Sequence, residues 1–175
     1  MSGETTINNK PVSRENFVLV TNPEASYEDY GWTEDYVRDI LYISEYEPDN
    51  EAMSDDVILN DLGIIYNDAI GARRDIQKAI KYYSMAMELG NNLAMSNLAD
   101  IYRKGSWGAE KNPAKAFELY KRCTLPYAYF RVGEAYENGW GVEKNLDEAK
   151  ANYRIAYKAG HPLARKKLST FNFLK

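Results

Sequence analysis

Three stretches of this 175-residue chain repeat one pattern: an apolar residue, then Gly or Ala, then two residues, then Tyr. They are Leu62-Gly63 to Tyr66, Leu98-Ala99 to Tyr102 and Val132-Gly133 to Tyr136, with the tyrosines 36 and 34 residues apart. A second alignment keeps the same register: Lys78-Ala79, Lys115-Ala116 and Glu148-Ala149 precede Tyr83, Tyr120 and Tyr153 by four residues. A period of this length marks a helical repeat array, in which each helix pair buries its apolar face against its neighbours. Gly63, Ala99 and Gly133 share one place in the first helix, and Ala79, Ala116 and Ala149 share one place in the second. Small side chains there let two helix axes approach while the tyrosines fill the space alongside. Each ring buries roughly 150–250 Å², so each contributes on the order of a few kcal/mol.

The repeats predict an all-α chain of about three helix pairs with a helical cap before them. Thr33 reads as the N-cap of a helix over 34–46, with Val37, Ile40, Leu41 and Ile43 as its apolar face and Glu34 and Asp35 at its positive end. Pro48-Asp49-Asn50 breaks the chain. The first pair is expected from Ser54 to about Asn67 and from Asp75, or the arginine before it, to Leu89, with Gly90 as a left-handed cap. The second falls near 93–104 and 113–123, with Pro113 suited to a first helical position. The third falls near 127–138 and 146–159, ending at Gly160, and a short helix at 163–170 closes the array. The expected organisation is a flexible tail over 1–14, an acidic aromatic cap over 15–53 and the repeats over 54–175, at about 57–92, 93–126 and 127–162.

The net charge of −4 conceals an asymmetry: residues 1–70 carry 16 acidic and 3 basic side chains, residues 71–175 carry 10 and 19. Opposite halves of this kind indicate segments with different tasks or segments that attract. The first twenty residues lack a basic start followed by a long apolar stretch, and no run of about 18 apolar residues occurs, so neither export nor a membrane span is expected. The lone cysteine, Cys123, forms no internal disulfide. The expected setting is cytoplasmic.

Residue types that carry chemistry are sparse. His161 is the only histidine, followed by Pro162 in a loop, and reads as surface or helix-end capping. With one histidine and one cysteine the usual zinc sites are not available. Cys123 aligns with Ala86 and Ala156, which predicts a buried small residue and not a nucleophile. Gly105-Ser106-Trp107-Gly108 and Gly139-Trp140-Gly141 have no preceding strand and no Gly-Lys-Ser/Thr, so they are turns that need positive φ, not phosphate loops; Trp107 and Trp140 are expected to pack across neighbouring loops. Asp49-Asn50-Glu51 and Asp55-Asp56 lack the alternation and central glycine of a calcium loop. Arg73-Arg74, Lys121-Arg122 and Arg165-Lys166-Lys167 are scattered over different helices and read as solvated faces, so no nucleic acid is expected as partner. No metal, no cofactor and no catalytic residue is assigned.

The units resemble Sel-1-like repeats, relatives of the tetratricopeptide repeat. The third matches best, with Ala128, Val132-Gly133, Tyr136, Gly139-Trp140-Gly141-Val142, Asn145, Glu148-Ala149, Tyr153, Ala156 and Gly160. The first has Leu62-Gly63, Tyr66, Gly71, Asp75, Lys78-Ala79, Tyr83, Ala86 and Gly90, but Ala69 stands where a loop glycine belongs. The middle unit has Ala94, Leu98-Ala99, Tyr102, Gly105, Lys115-Ala116 and Tyr120, with Cys123-Thr124-Leu125-Pro126 replacing the usual close, which predicts irregular geometry there. The resemblance covers about residues 57–162 and implies a right-handed αα-superhelix, or solenoid, and a non-catalytic adaptor or scaffold that holds other proteins.

In such repeats the first helices line the concave side. Places beside the repeated tyrosine that packing does not need are then free to select a ligand: Asp61, Ile64 and Asn67; Asn97, Asp100 and Arg103; Arg131, Glu134 and Glu137. This mixed polar groove suits a peptide or protein loop, with Arg103 and Arg131 as carboxylate anchors. A second candidate surface is the leader: Glu28, Asp29, Tyr30, Trp32, Glu34, Asp35, Asp39, Glu45 and Glu47 match a basic protein, with rings as anchors and carboxylates to speed encounter. The leading specific expectation is an inhibitor or immunity protein that neutralises a basic toxin, by analogy with small acidic inhibitors. An adaptor assembling signalling or envelope complexes comes second, and an enzyme with an unfamiliar carboxylate site third. The leader has a competing role, covering the exposed apolar face of the first repeat.

Overall fold

The repeat helices form where the sequence supplies a capping side chain or an N1 proline, a small-residue seam and an apolar face. The computed structural model describes residues 6–7 and 10–172. Among the described residues Thr6–Ile7 (β1) pairs antiparallel with Lys10–Pro11 (β2), and eight α-helices follow: α1 Glu34–Tyr46, α2 Asp56–Asp68, α3 Ile76–Glu88, α4 Asn92–Lys104, α5 Pro113–Arg122, α6 Pro126–Asn138, α7 Leu146–Lys158 and α8 Ala164–Asn172. Residues 1–5, 8 and 9 of the expected tail lie outside the described residues. The all-α class with paired helices is the one the repeat pattern predicts.

The chain divides into two units, residues 1–85 and 86–175. In the first, the Thr33 hydroxyl accepts from the Tyr36 N–H and opens α1, which buries Val37, Ile40, Leu41 and Ile43 and packs on α2. Asp55 accepts from the amides of Val57 and Ile58 at the start of α2, and Asn50 caps a 3₁₀ turn over Glu51–Ser54. Of the residues weighed as calcium ligands, Asn50 and Asp55 thus open helical turns. Asp75 holds the amides of Gln77 and Lys78 and opens α3. Between α2 and α3, Gly63 lies so close to the Tyr83 ring that a Cβ there would fall 2.4 Å from it, and Tyr66 stacks on Tyr82 at 5.7 Å. Ala69 adopts φ 61°, the left-handed conformation for which the repeat pattern elsewhere uses glycine.

In the second unit α4 pairs with α5, α6 with α7, and α8 closes on α7. Tyr120, Tyr153, Ala116, Ala149, Ala156 and Cys123 are buried. The middle repeat is irregular where expected: α5 has ten residues against thirteen in α4, α6 and α7. Cys123 leaves the helix in extended conformation, and Thr124 N–H bonds the Asn92 side chain. Gly141, at φ 74°, sits so close to α5 that a Cβ would fall 2.2 Å from the Pro113 carbonyl oxygen. Trp140 beside it meets the ring of Tyr120, a residue of α5 and not of a loop, edge-on at 6.2 Å. Trp107, in the other loop, is 64% exposed on a backbone at φ 58°.

Candidate functional site

Most groove residues named from the repeat register have partners within the fold. Asp61 is 8% exposed and accepts from the Tyr36 hydroxyl of α1 at 2.6 Å. Burial raises its pKa, and the Tyr36 and Asn60 hydrogen bonds offset only part of that. Ile64 is half-buried and Asn67 donates to Asp68. Asp100 accepts from the Tyr120 hydroxyl and from the Tyr127 hydroxyl at 2.9 Å, and pairs with Arg103 at 3.1 Å and Lys104 at 3.7 Å. Burial pushes its pKa up, but these donors and charges outweigh it and hold the carboxyl below its ordinary value. Asn97 is half-buried. Arg103 therefore faces an intrahelical partner where an anchor for an outside carboxylate was expected. Arg131 likewise pairs with Glu134 at 2.5 Å and lies over the Tyr127 ring at 4.7 Å.

Several of the leader's rings and carboxylates have partners within the fold. Tyr30 donates to Asp68 at 2.6 Å and stacks on the half-buried Trp32 at 5.0 Å. Glu45 takes Lys78 at 2.5 Å and the Tyr66 hydroxyl at 3.0 Å, and burial in this cluster is the first cause that pushes the Tyr66 pKa to about 12. Glu47 pairs with Arg14, while Glu34 and Asp35 hold Arg38. Glu28 and Asp29 bond the Ser26 turn, and Asp39 is exposed. The leader thus covers the first repeat, while Glu28, Asp29, Asp39, Asp49 and Glu51 stay at the surface beside the part-exposed Tyr30 and Tyr46.

Three of the predicted groove residues, Arg131, Glu134 and Glu137, come together with residues the sequence reading left out. They line a recess of about 600 Å³ with Tyr127 and Phe130 of α6, His161 and Leu163 of the α7–α8 turn, and Lys166, Lys167 and Thr170 of α8. Proline at N1 starts α6, and the Gly160 turn sends the chain back so that α8 faces it. Glu137 accepts from the Tyr153 hydroxyl at 2.5 Å and pairs with Lys167 at 2.7 Å. The His161 backbone N–H closes α7 by donating to the Ala156 carbonyl, as a capping residue should. Its ring, contrary to the surface reading, stacks on Phe130 at 4.2 Å with 18° between planes. Burial, and then the nearby Arg131 charge, lower its pKa, so the imidazole is neutral at pH 7. The signal available in the sequence was Leu163, an apolar residue beside the helix-breaking Gly160-His161-Pro162.

Among the described residues no helix is long and apolar enough to cross a membrane, and no three His, Cys, Asp or Glu side chains are grouped to hold a metal ion. Residues 59–91, 92–122 and 126–161 match the Sel1 repeat. The chain is 34% identical over 94 residues to the chitin synthase regulator SKT5 of Saccharomyces cerevisiae, covering 51% of this chain and 13% of that protein. It is 38% identical over 78 residues to the ERAD-associated E3 ubiquitin-protein ligase component HRD3 of Candida glabrata, covering 43% of this chain and 9% of that one. The chain thus spans only a small part of these relatives. The crystal structure of a Sel1 repeat protein from Oxalobacter formigenes superposes with a TM-score of 0.70 at 27% identity, over 83% of this chain and 57% of that one. With three matched repeats over more than half its length, the chain belongs to the Sel1 repeat family, whose repeats mediate protein–protein interaction.

Proposed function

We propose that this chain is a non-catalytic protein-binding module, and that within that class it is an inhibitor that neutralises a basic protein toxin through the acidic leader. The observation that carries the finer reading is the leader's outer face. Val37, Ile40, Leu41 and Ile43 of α1 are buried, yet Glu28, Asp29, Asp39, Asp49 and Glu51 remain exposed. Residues 1–85 as a whole carry 17 acidic and 7 basic side chains. A rigid acidic face raises the encounter rate with a basic partner and loses that advantage as salt rises. The test is capture of proteins from native lysate by the immobilised full chain, then association rates at increasing ionic strength. One stoichiometric basic partner, silenced on binding and associating more slowly in salt, supports the reading. Retention of no protein refutes the module itself.

A second reading has its own support. The relatives' names describe a chitin synthase regulator and a ubiquitin-ligase component, so an adaptor within a larger assembly is the alternative. Capture of several unrelated proteins, with no activity silenced, favours it.

A further inference from the structure

The recess between α6 and α8 has an aromatic floor, an exposed apolar rim and an excess of positive charge. The floor is Phe130 with the His161 ring lying flat on it and Tyr127 alongside. The rim is Leu163, 55% exposed. Of the charged residues in the wall, Glu134 is held by Arg131, and Glu137 by Lys167 and the Tyr153 hydroxyl. Lys166 has no carboxylate within ion-pair distance among the described residues, and Arg165 precedes it in the sequence. With His161 neutral, the wall carries Arg131, Lys166 and Lys167 against Glu134 and Glu137, an excess of one positive charge. It sits in a unit, residues 86–175, with 15 basic and 9 acidic side chains.

We propose that this recess is a second docking site, distinct from the acidic leader, and that its occupant is an acidic peptide segment presenting one aromatic or large aliphatic side chain. The anchor enters against the His161 ring, which lies on the buried Phe130, and against Leu163, and a flanking carboxylate meets Lys166. A recess of about 600 Å³ is large enough for one such side chain with its backbone. Buried aromatic anchors supply most of the energy at sites of this kind, and the rim charge supplies selectivity. A basic segment is disfavoured because Glu134 and Glu137 already have cationic partners, while Lys166 would repel it. The assignment rests on the reading of the chain as a protein-binding module and names the partner chemistry of one surface.

The test uses the full chain and a fluorescein-labelled dodecapeptide with one phenylalanine flanked by glutamates. Two control peptides carry alanine for the phenylalanine or lysines for the glutamates, and binding is read by fluorescence anisotropy. The acidic phenylalanine peptide is expected to bind about tenfold or more tighter than the alanine control, the size expected from burying one large apolar side chain, and about threefold or more tighter than the lysine control, the size of a rim charge. Lys166→Glu should erase the preference for glutamate over lysine, and Leu163→Asp should weaken the phenylalanine peptide about tenfold. Both residues are exposed, and unchanged circular dichroism establishes that the variants fold. Equal affinity for acidic and basic peptides, no measurable binding, or indifference to both substitutions overturns the assignment. Failure of this site is separable from failure of the module reading: a chain that ignores the peptide but still captures a protein loses only the recess.

Discussion

Gly133→Ala sets two effects of opposite sign against each other. Alanine favours a helix interior over glycine by about 1 kcal/mol, so on local grounds the change stabilises α6. The packing argues otherwise. A Cβ at this position falls 2.7 Å from Cδ1 and Cε1 of Tyr153, where relaxed carbon pairs sit at about 3.5–4.0 Å. The ring cannot swing away easily. Its hydroxyl is held by Glu137, and its faces meet Phe130 at 5.3 Å and Phe171 at 6.0 Å. Overpacking a filled seam costs about 1–3 kcal/mol, so a net loss of about 1–2 kcal/mol is expected after the propensity gain. In a chain of this size that lowers Tm by about 2–8 °C. Two units need not unfold together, so hydrogen exchange of the α6 and α7 amides should accompany calorimetry. The penalty should shrink in the background of Tyr153→Leu, giving a favourable coupling. The middle repeat tolerates Ala99 at the equivalent place, so the cost is assigned to the seat of Tyr153 and not to helix pairs in general. A variant that melts at or above the wild-type temperature, with unchanged protection in α6 and α7, refutes the reasoning.

Ala69→Gly should stabilise the chain by about 0.5–1 kcal/mol, because the left-handed penalty of about 1–2 kcal/mol at φ 61° exceeds the extra unfolded-state entropy of glycine; a lower urea midpoint would contradict this. Leu41→Ala, at a fully buried leader position, should cost about 2–5 kcal/mol and expose α2 amides to exchange; an unaffected α2 would show that the leader does not cover the first repeat. Tyr36→Phe leaves the buried Asp61 carboxylate without its shortest hydrogen bond and should cost about 1–3 kcal/mol, read from chemical denaturation. For Asp100 the folded pKa lies below the unfolded value, so its contribution is present above about pH 4 and lost as pH falls through the folded pKa; Asp100→Asn should flatten the acid limb of the stability profile, and an unchanged limb would remove this group from the account.

The fold was legible because its determinants are local and periodic. Thr33, Asp75 and Gly90 sit at helix ends where their side chains or backbone freedom are needed, and Pro113 takes N1, so helix bounds follow within one or two residues. The place of Cys123 in the repeat register likewise gives its burial. The site was legible only in part. The repeat register shows that Asp61, Asp100 and Glu137 lie beside the tyrosine seam, but not that a hydroxyl from another helix already occupies each. Those hydroxyls come from Tyr36, Tyr120 and Tyr153, residues 25, 20 and 16 positions away in sequence. No spacing rule specifies such pairs, since they depend on how far one helix slides along the next.

The same tyrosine–carboxylate pairing bears on where binding capacity remains. Within residues 86–175, Tyr120 and Tyr127 both donate to Asp100, and Arg103 and Lys104 neutralise it, so the polar face of α4 is internally satisfied. An incoming carboxylate there would have to break an ion pair before making one, which returns little net energy at a half-exposed site. At α6 the account differs. Glu134 and Glu137 are satisfied too, but Leu163 is exposed beside the part-exposed His161 ring, and Lys166 stands near them without an ion-pair partner among the described residues. Apolar surface and uncompensated charge coincide there. Within residues 86–175 the face of α4 around Asp100 satisfies its own charges, while the recess between α6 and α8 keeps an exposed apolar rim and a cation without an ion-pair partner among the described residues, and that is where capacity to hold a partner remains.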